Sequence, residues 1–384
     1  MIVKLNPLDT VIFRTPAPFT AGEDYLANSV FPPYPHTYAG IVLKNGIFAS
    51  GEKQERQFKI GLSGIMLNDG FLLKQPLDIV RCEPSDKQKG QVYYKQIEKA
   101  PVSNYPLGYI TKESYKWHEI SRYTDYYMPI NEIINYLNAR TITNECYRLD
   151  NLLHSETHTG IEIDKETKSI VTSKMYKRNM IRLYYKADIH QKNEVALFFE
   201  TKGADIENKV VVKIGGRNKT AILSKLNKDI NITVNHNSDE YFKLYLATPA
   251  IFKNGWLPKW ISLNSRGFYD GVFTRKGRSI KVKLLCACVG SYLPVGGFGT
   301  KESQKPSEMN YAVPAGSVYY FQLLKGRMED VVKLFHQKCV SDYRTGLGFD
   351  FKIRDRYRYC DRGYGYALVG NLTDEQILYL KGEY

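Results

Sequence analysis

The sequence predicts an α+β fold of two ferredoxin-like domains with long insertions, residues 1–205 and 206–384. Three observations point there. Strand-like runs of β-branched and aromatic residues recur from one end of the chain to the other. Helical periodicity is confined to a few short stretches. In the first half these elements follow one another as strand, helix, hairpin, helix, strand, and the second half repeats the plan more loosely. A chain of 384 residues has room for two cores of ordinary domain size.

Taken in order, Ile2 to Leu5 and Val11 to Arg14 read as strands. Pro16 to Pro35 is a loop dense in proline, which excludes regular structure and stiffens the chain. His36 to Asn45 has helical character, with Thr37 placed to cap it. Gly61 to Asn68 and Phe71 to Val80 form a hairpin turning at Asp69-Gly70. Pro129 to Asn138 sets Ile130, Ile133, Ile134 and Leu137 on one helical face. Met180 to Tyr185 and Val195 to Glu200 complete the first set of strands. The polar stretch between Lys202 and Asn237, with one short strand at Val210 to Ile214, marks the change of domain. Tyr241 to Leu246 and Lys281 to Val289 then alternate as strands. Val318 to Leu323 follows, launched by a turn containing Pro314 and Gly316. Met328 to Val340 reads as a helix whose apolar side is Val331, Val332, Leu334, Phe335 and Cys339. Tyr364 to Gly370 closes as a glycine-bounded strand. The layout is also that of RNA-recognition-motif (RRM-like) domains.

Hydrophobic content of 43% and charged content of 24% are those of a globular protein. No apolar stretch approaches the roughly 20 residues of a membrane span, and the first residues lack the pattern of a secretory signal. A cytoplasmic location without membrane contact is the expectation. The formal net charge is +14, so polyanions are attracted before any specific contact forms. Thirty tyrosines accompany that charge and can pack, hydrogen-bond or stack on bases. The cysteines contain no C-x-x-C pair, so zinc-ribbon spacing is absent. Cys286 and Cys288 alternate within a strand-like run and read as small buried hydrophobes.

Four basic stretches carry candidate chemistry. Arg275-Lys276-Gly277-Arg278 reads as a hairpin tip able to lie along phosphates. Lys352 to Tyr359 interleaves arginine with tyrosine, offering phosphate forks and stacking faces. Arg362-Gly363-Tyr364-Gly365 follows it, its glycines allowing a sugar-phosphate chain to approach the backbone. Gly215-Gly216-Arg217 forms a third, turn-like stretch after a strand. Lys174 to Lys192 forms the fourth, reading as an exposed sheet face. Catalytic constellations are hard to find. His154 and His158, with Glu156 between them, are spaced for a metal only on a helix that Thr157, Thr159 and Gly160 disfavour. No metal or cofactor is expected. His36, opening a helix, could act as general acid or base on a ribose hydroxyl, but no second base stands beside it.

Residues 313–321, VPAGSVYYF, resemble a signature of the third subunit of type III-B CRISPR effector complexes, the Cmr complexes of the RAMP superfamily. Other blocks agree, in family order. Asn6 to Thr10, Phe13-Arg14 and Pro18-Phe19 resemble its opening. Gly22 to Asp24 and Ser29 to Thr37, ending at Gly40, continue it. Gly160 to Asp164, with Tyr176 and Arg182, looks like its mid-chain hairpin. Leu246 to Phe252, with Gly255-Trp256 and Pro258, and finally Gly363 to Gly370, complete the set. Departures are Phe298 in place of tryptophan, Leu43 or Lys44 in place of arginine, and Arg217 in place of glutamate.

The resemblance implies a non-enzymatic subunit that holds the repeat-derived 5′ handle of the guide RNA (crRNA). It would bridge the large polymerase-like subunit to the backbone RAMP subunit, with target RNA present in the assembled complex. The expected RNA contacts are Arg14, His36, Gly215, Gly216, Arg217, Arg275, Lys276, Arg278, Arg362, Gly363, Tyr364 and Gly365. Two other readings stay open: a guide-processing endoribonuclease using His36, and a scaffold whose basic faces meet acidic proteins.

Overall fold

The structure is a computed structural model that describes residues 1–16, 26–47, 58–82, 92–97, 107–109, 120–121, 125–143, 145–186, 193–296, 309–342 and 359–381. Gly22 to Asp24, Phe298 and residues 352–358 of the arginine–tyrosine run lie outside the described residues.

Two antiparallel sheets carry the fold. Across the first, the strands run Tyr147–Arg148, Tyr126–Pro129, Gly70–Lys74, Lys59–Leu67, Val195–Lys202, Ile2–Pro7, Thr220–Leu226 and Val210–Lys213. Across the second they run Ile261–Leu263, Tyr269–Arg275, Arg278–Cys288, Val318–Lys325, Tyr241–Leu246, Tyr366–Gly370 and Lys338–Cys339. Few helices accompany them, so the architecture is mixed α and β, as the sequence predicts. No described helix is long and apolar enough to cross a membrane.

Alternation along the central strands explains how the sheets stack. In Val195–Lys202, Ala196 and Phe198 point into a core shared by both halves, while Leu197 and Phe199 enter a second core. That second core is covered by the helix Pro35–Asn45 through Tyr38, Ala39, Ile41 and Val42. In Tyr241–Leu246, Tyr241 and Tyr245 face the shared core, and Phe242, Leu244 and Leu246 face a third. The helix Met328–Phe335 covers the third core with Met328, Val331, Leu334 and Phe335. Strands buried on both faces need apolar runs, which Val195 to Phe199 has throughout and Tyr241–Leu246 has apart from the buried Lys243. The helix Ile130–Leu137 lies in the shared middle layer, with Ile133, Tyr136 and Leu137 buried there.

Two connections split around a strand in the first sheet. Ile2–Pro7 and Lys59–Leu67 flank Val195–Lys202, with Pro35–Asn45 in the connection; Gly70–Lys74 and Val195–Lys202 flank Lys59–Leu67, with Ile130–Leu137 in the connection. In the second sheet, Val318–Lys325 and Tyr366–Gly370 flank Tyr241–Leu246, with Met328–Phe335 between them in sequence. These are split β-α-β units.

The middle layer holds a buried polar cluster. Asp78 Oδ2 accepts from the Tyr136 hydroxyl at 2.6 Å and from the Tyr320 hydroxyl. Lys243 Nζ lies 3.4 Å from the centroid of the Tyr136 ring, and burial depresses its pKa to about 8. Asp78 and Tyr136 belong to the first half, Lys243 and Tyr320 to the second, so the cluster ties the halves together.

Several expected boundaries shift. Val11 to Arg14 is not a strand; it makes single bridges, Val11 to Ile181 and Arg14 to Ser29. The first helix opens at Pro35 with Tyr34 as N-cap, so Thr37 caps nothing: proline at the first helical position pre-sets the turn. The helix expected to reach Val340 stops at Phe335, because Gln337 takes φ +55° and Lys338–Cys339 joins the sheet beside Tyr366. A division after residue 205 would cut the first sheet, since Thr220–Leu226 pairs with Ile2–Pro7 along its length. The change of sheet falls between Leu226 and Tyr241. His154, Glu156 and His158 share one face of a strand, Leu153–Ile163, where Glu156 is held by Arg182.

Candidate nucleic-acid interface

The strands Tyr269–Arg275 and Arg278–Cys288 are joined by Lys276 and Gly277, at φ +51° and +76°. Two left-handed residues give the two-residue turn whose twist matches the flanking strands. The cross-strand pair Arg275 and Arg278 closes it, so three cations crowd one tip. Arg278 Nε reaches Asp330 Oδ1 at 3.4 Å and fastens the tip to the helix Met328–Phe335.

This tip overhangs a cleft of about 440 Å³ between the halves. Lys59 and Lys202 come from the first sheet; Lys333 and Lys338 come from the second half. With Arg275, Lys276 and Arg278, seven cationic side chains among the described residues line the cleft against two carboxylates, Glu200 and Asp361. Those two are already engaged, Glu200 by Lys202 at 3.0 Å and Asp361 by Lys59 at 3.5 Å. Cys339 and Cys360 line the same cleft, and burial holds the Cys339 thiol well above its usual pKa, so it stays neutral. A cleft of one sign with low-dielectric walls focuses its field on an incoming anion. Lys59, Lys202, Lys333 and Lys338 were not singled out from the sequence. Each stands outside the four basic stretches, and only the packing of the two sheets brings them together.

Arg14 and Arg217 do not line this cleft. The turn after Val210–Lys213 packs on Ile12: a Cβ on Gly215, at φ +63°, would sit 2.4 Å from the Ile12 carbonyl oxygen. Gly216 N–H donates to that same oxygen at 2.9 Å. These glycines are therefore spent on protein packing, which presents Arg217 outward. Arg178 lies close enough for its charge to oppose Arg217, and it stacks over the Tyr176 ring at 4.2 Å. Arg178 and Arg217 thus form a second cationic pair; the segment 27–29 pairs with the strand of Arg178 through Ala27 and bridges Arg14 through Ser29.

The segment Arg362 to Gly365 corrects an expectation. Gly363 and Gly365 are buried, at φ +90° and +77°, and face protein rather than a groove. A Cβ on Gly363 would meet Ile60 Cγ2 at 2.8 Å; one on Gly365 would meet Ser341 Oγ at 2.8 Å and Ser341 N at 2.9 Å. Tyr364 is 1% exposed, its ring covered by His36 and by Tyr359. No face remains for a base. The segment instead ties the halves together: Ile60 N–H donates to Asp361 O at 2.9 Å across them, while Thr248 Oγ1 donates to Gly363 O at 2.7 Å and fixes the turn within the second half. Gly365→Ala is therefore expected to cost about 2–3 kcal/mol of stability, from left-handed strain plus overlap with Ser341. Gly277→Ala, in open space at the hairpin tip, should cost only about 1 kcal/mol. Denaturant unfolding of both variants measures the difference; equal losses would return Gly365 to the role read from the sequence.

His36, in the first turn of its helix, shares a hydrogen bond between Nδ1 and the Tyr364 hydroxyl. Burial, and then the nearby Arg362 charge, lower its pKa to about 4. The ring is neutral at pH 7.

Residues 3–372 match the family described as CRISPR-associated protein (Cas_Cmr3). Among solved structures, a chain in a cryo-EM structure of the type III-B Cmr-beta bound to cognate target RNA superposes with TM-score 0.51 and 16% identity, over 96% of both chains. A chain in the same type of assembly bound to cognate target RNA and AMPPnP gives TM-score 0.50 and 16% identity over 95% of both chains. At that identity the likeness speaks for the fold. A comparison with curated proteins gave no match. With the family match spanning nearly the whole sequence, the chain belongs to the Cas_Cmr3 family of CRISPR-associated proteins, which makes it a type III-B effector subunit.

Proposed function

We propose that the chain holds the 5′ handle of the guide RNA along the cationic cleft between its two halves and does not cut it. It bridges the large polymerase-like subunit to the backbone subunit of the effector, where target RNA is also present. The observation that carries this reading is the convergence of seven cations from both sheets on one cleft. Phosphate charges are spaced regularly along a strand, so a cleft of this kind binds backbone before it reads sequence. Its two walls read as elaborated ferredoxin-like domains, meeting between residues 226 and 241, and the split β-α-β connections support that assignment.

A base at His36 would need a pKa near the working pH and a proton to move. A pKa of about 4 and a bond to Tyr364 favour a positioning role for the ring instead. Reconstituting the effector with guide RNA carrying 4-thiouridine at successive 5′ positions tests the reading. Crosslinks from the handle to peptides of residues 269–288 are expected; crosslinks confined to other subunits would overturn it. Incubation with repeat RNA in the absence of metal is expected to leave the RNA intact. Cleavage lost in His36→Ala would install the endoribonuclease in its place.

The same histidine makes a pH prediction. Its folded pKa, about 4, lies below the ordinary 6.5, so between those values the unfolded chain binds a proton that the folded one refuses. Stability is therefore present above pH 6.5 and lost as pH falls towards 4, by on the order of 3 kcal/mol. Subtracting the profile of His36→Gln from that of wild type should isolate this slope. Parallel profiles would remove the assignment.

A further inference from the structure

The cationic cleft holds more charge than a passing strand can answer. Its volume of about 440 Å³ lies near the lower end of small-molecule sites, roughly 300–1,000 Å³. An RNA lying along it therefore places only a nucleotide-sized part inside, with one phosphodiester charge per nucleotide.

Three of the seven cations are committed: Lys202 to Glu200, Lys59 to Asp361 and Arg278 to Asp330. The other four, Arg275, Lys276, Lys333 and Lys338, are exposed and form no ion pair among the described residues. They come from three parts of the second half: the hairpin tip, the last turn of the helix Met328–Phe335 and the edge strand Lys338–Cys339. The wall between them is neutral. Ile60 and Leu334 line it, and burial keeps the Cys339 thiol and the Tyr366 phenol protonated.

Charges gathered within about a Debye length, about 8 Å at physiological salt, sum with little screening, and a neutral wall strengthens the sum. A phosphomonoester brings about −1.5 to −2 charges where a phosphodiester brings one. Phosphates linked in a chain bring still more into the same volume. Arg275 offers a fork that matches phosphate oxygens, and the three lysines are point charges on flexible stems that can follow them. Tyr366, the one aromatic residue among the described lining, is 5% exposed, so the cleft offers no face to a base. The site reads charge density. We propose that the cleft binds a free polyphosphate chain, inorganic or carried by a nucleoside, and that this anion competes there with the guide RNA. The competition rests on the proposed function; the anion site does not.

Calorimetric titration of the full chain with tripolyphosphate, and separately with a nucleoside triphosphate, tells the two carriers apart. Sulfate at the same ionic strength is the control. The expected result is one site per chain, at least tenfold tighter than sulfate for one carrier or both. Lys333→Gln/Lys338→Gln, which leaves the hairpin tip intact, should weaken that site about tenfold. Should this variant unfold, Lys276→Gln/Lys333→Gln carries the same test. Displacement of labelled guide RNA is then followed at constant ionic strength. Release by tripolyphosphate at a concentration at least tenfold below that of sulfate is expected. Tripolyphosphate that binds no better than sulfate, or at several sites indifferent to a folded double variant, overturns the anion site and leaves RNA retention untouched. Tripolyphosphate held at one variant-sensitive site without release of RNA overturns the competition, removes the guide from the cleft and keeps the anion site.

Discussion

Asp78→Ala is expected to destabilise the protein by about 3–5 kcal/mol, the cost of leaving a buried cation without its counter-charge. The substitution strands Lys243 in the middle layer and removes the acceptor shared by the Tyr136 and Tyr320 hydroxyls. Equilibrium unfolding in urea measures the loss, and a change under 1 kcal/mol would remove the cluster from the account of how the halves are joined. The pH dependence has a defined sign. Lys243 titrates at about 8 when folded against 10.5 when unfolded. Above pH 8 the folded chain sheds a proton that the unfolded chain keeps, so stability rises between those values. Without Asp78 the lysine is depressed further, so the variant should recover part of its deficit as the pH rises towards 8, above which the two profiles run parallel. The double variant Asp78→Leu/Lys243→Met, which removes both charges, should lie closer to wild type than Asp78→Ala does.

Reversing charge at the hairpin tip should have the largest effect on RNA. Arg275→Glu/Lys276→Glu is expected to weaken guide binding on the order of 100-fold at low salt and to reduce the salt slope by about 1.4, two single-strand phosphate contacts. Both residues are exposed, so folding should be unaffected. Arg278 is left in place because it anchors the tip to Asp330. The sharper test is the opposite wall. Lys59→Glu/Lys202→Glu, more than seventy residues away in sequence, should produce the same loss and the same change of slope if one strand touches both halves. An effect from the tip alone would make the surface a hairpin, not a cleft.

Much of this was legible in the chain. Val195 to Glu200 and Tyr241 to Leu246 read as strands, the second by its alternation, and the structure adds that alternate side chains serve different cores. The Arg275 to Arg278 tip was legible because a turn is local: Gly277 carries its own backbone preference. The family blocks were legible for the same reason, each being a short contiguous run. The helix stop at Phe335 was not, since Cys339 keeps helical spacing and only its pairing beside Tyr366 pulls it into a sheet.

Local chemistry thus determined the strands, the hairpin tip, the polycationic character and the family. Tertiary packing alone decided the destination of each group. A glycine's freedom is local, but whether it admits a phosphate or a neighbouring side chain depends on what packs against it, and Gly363 and Gly365 meet Ile60 and Ser341. A lone lysine carries no message until another sheet sets it beside six further cations, as Lys59 and Lys338 are set here. Charge adds up over space, and sequence records only order along the chain.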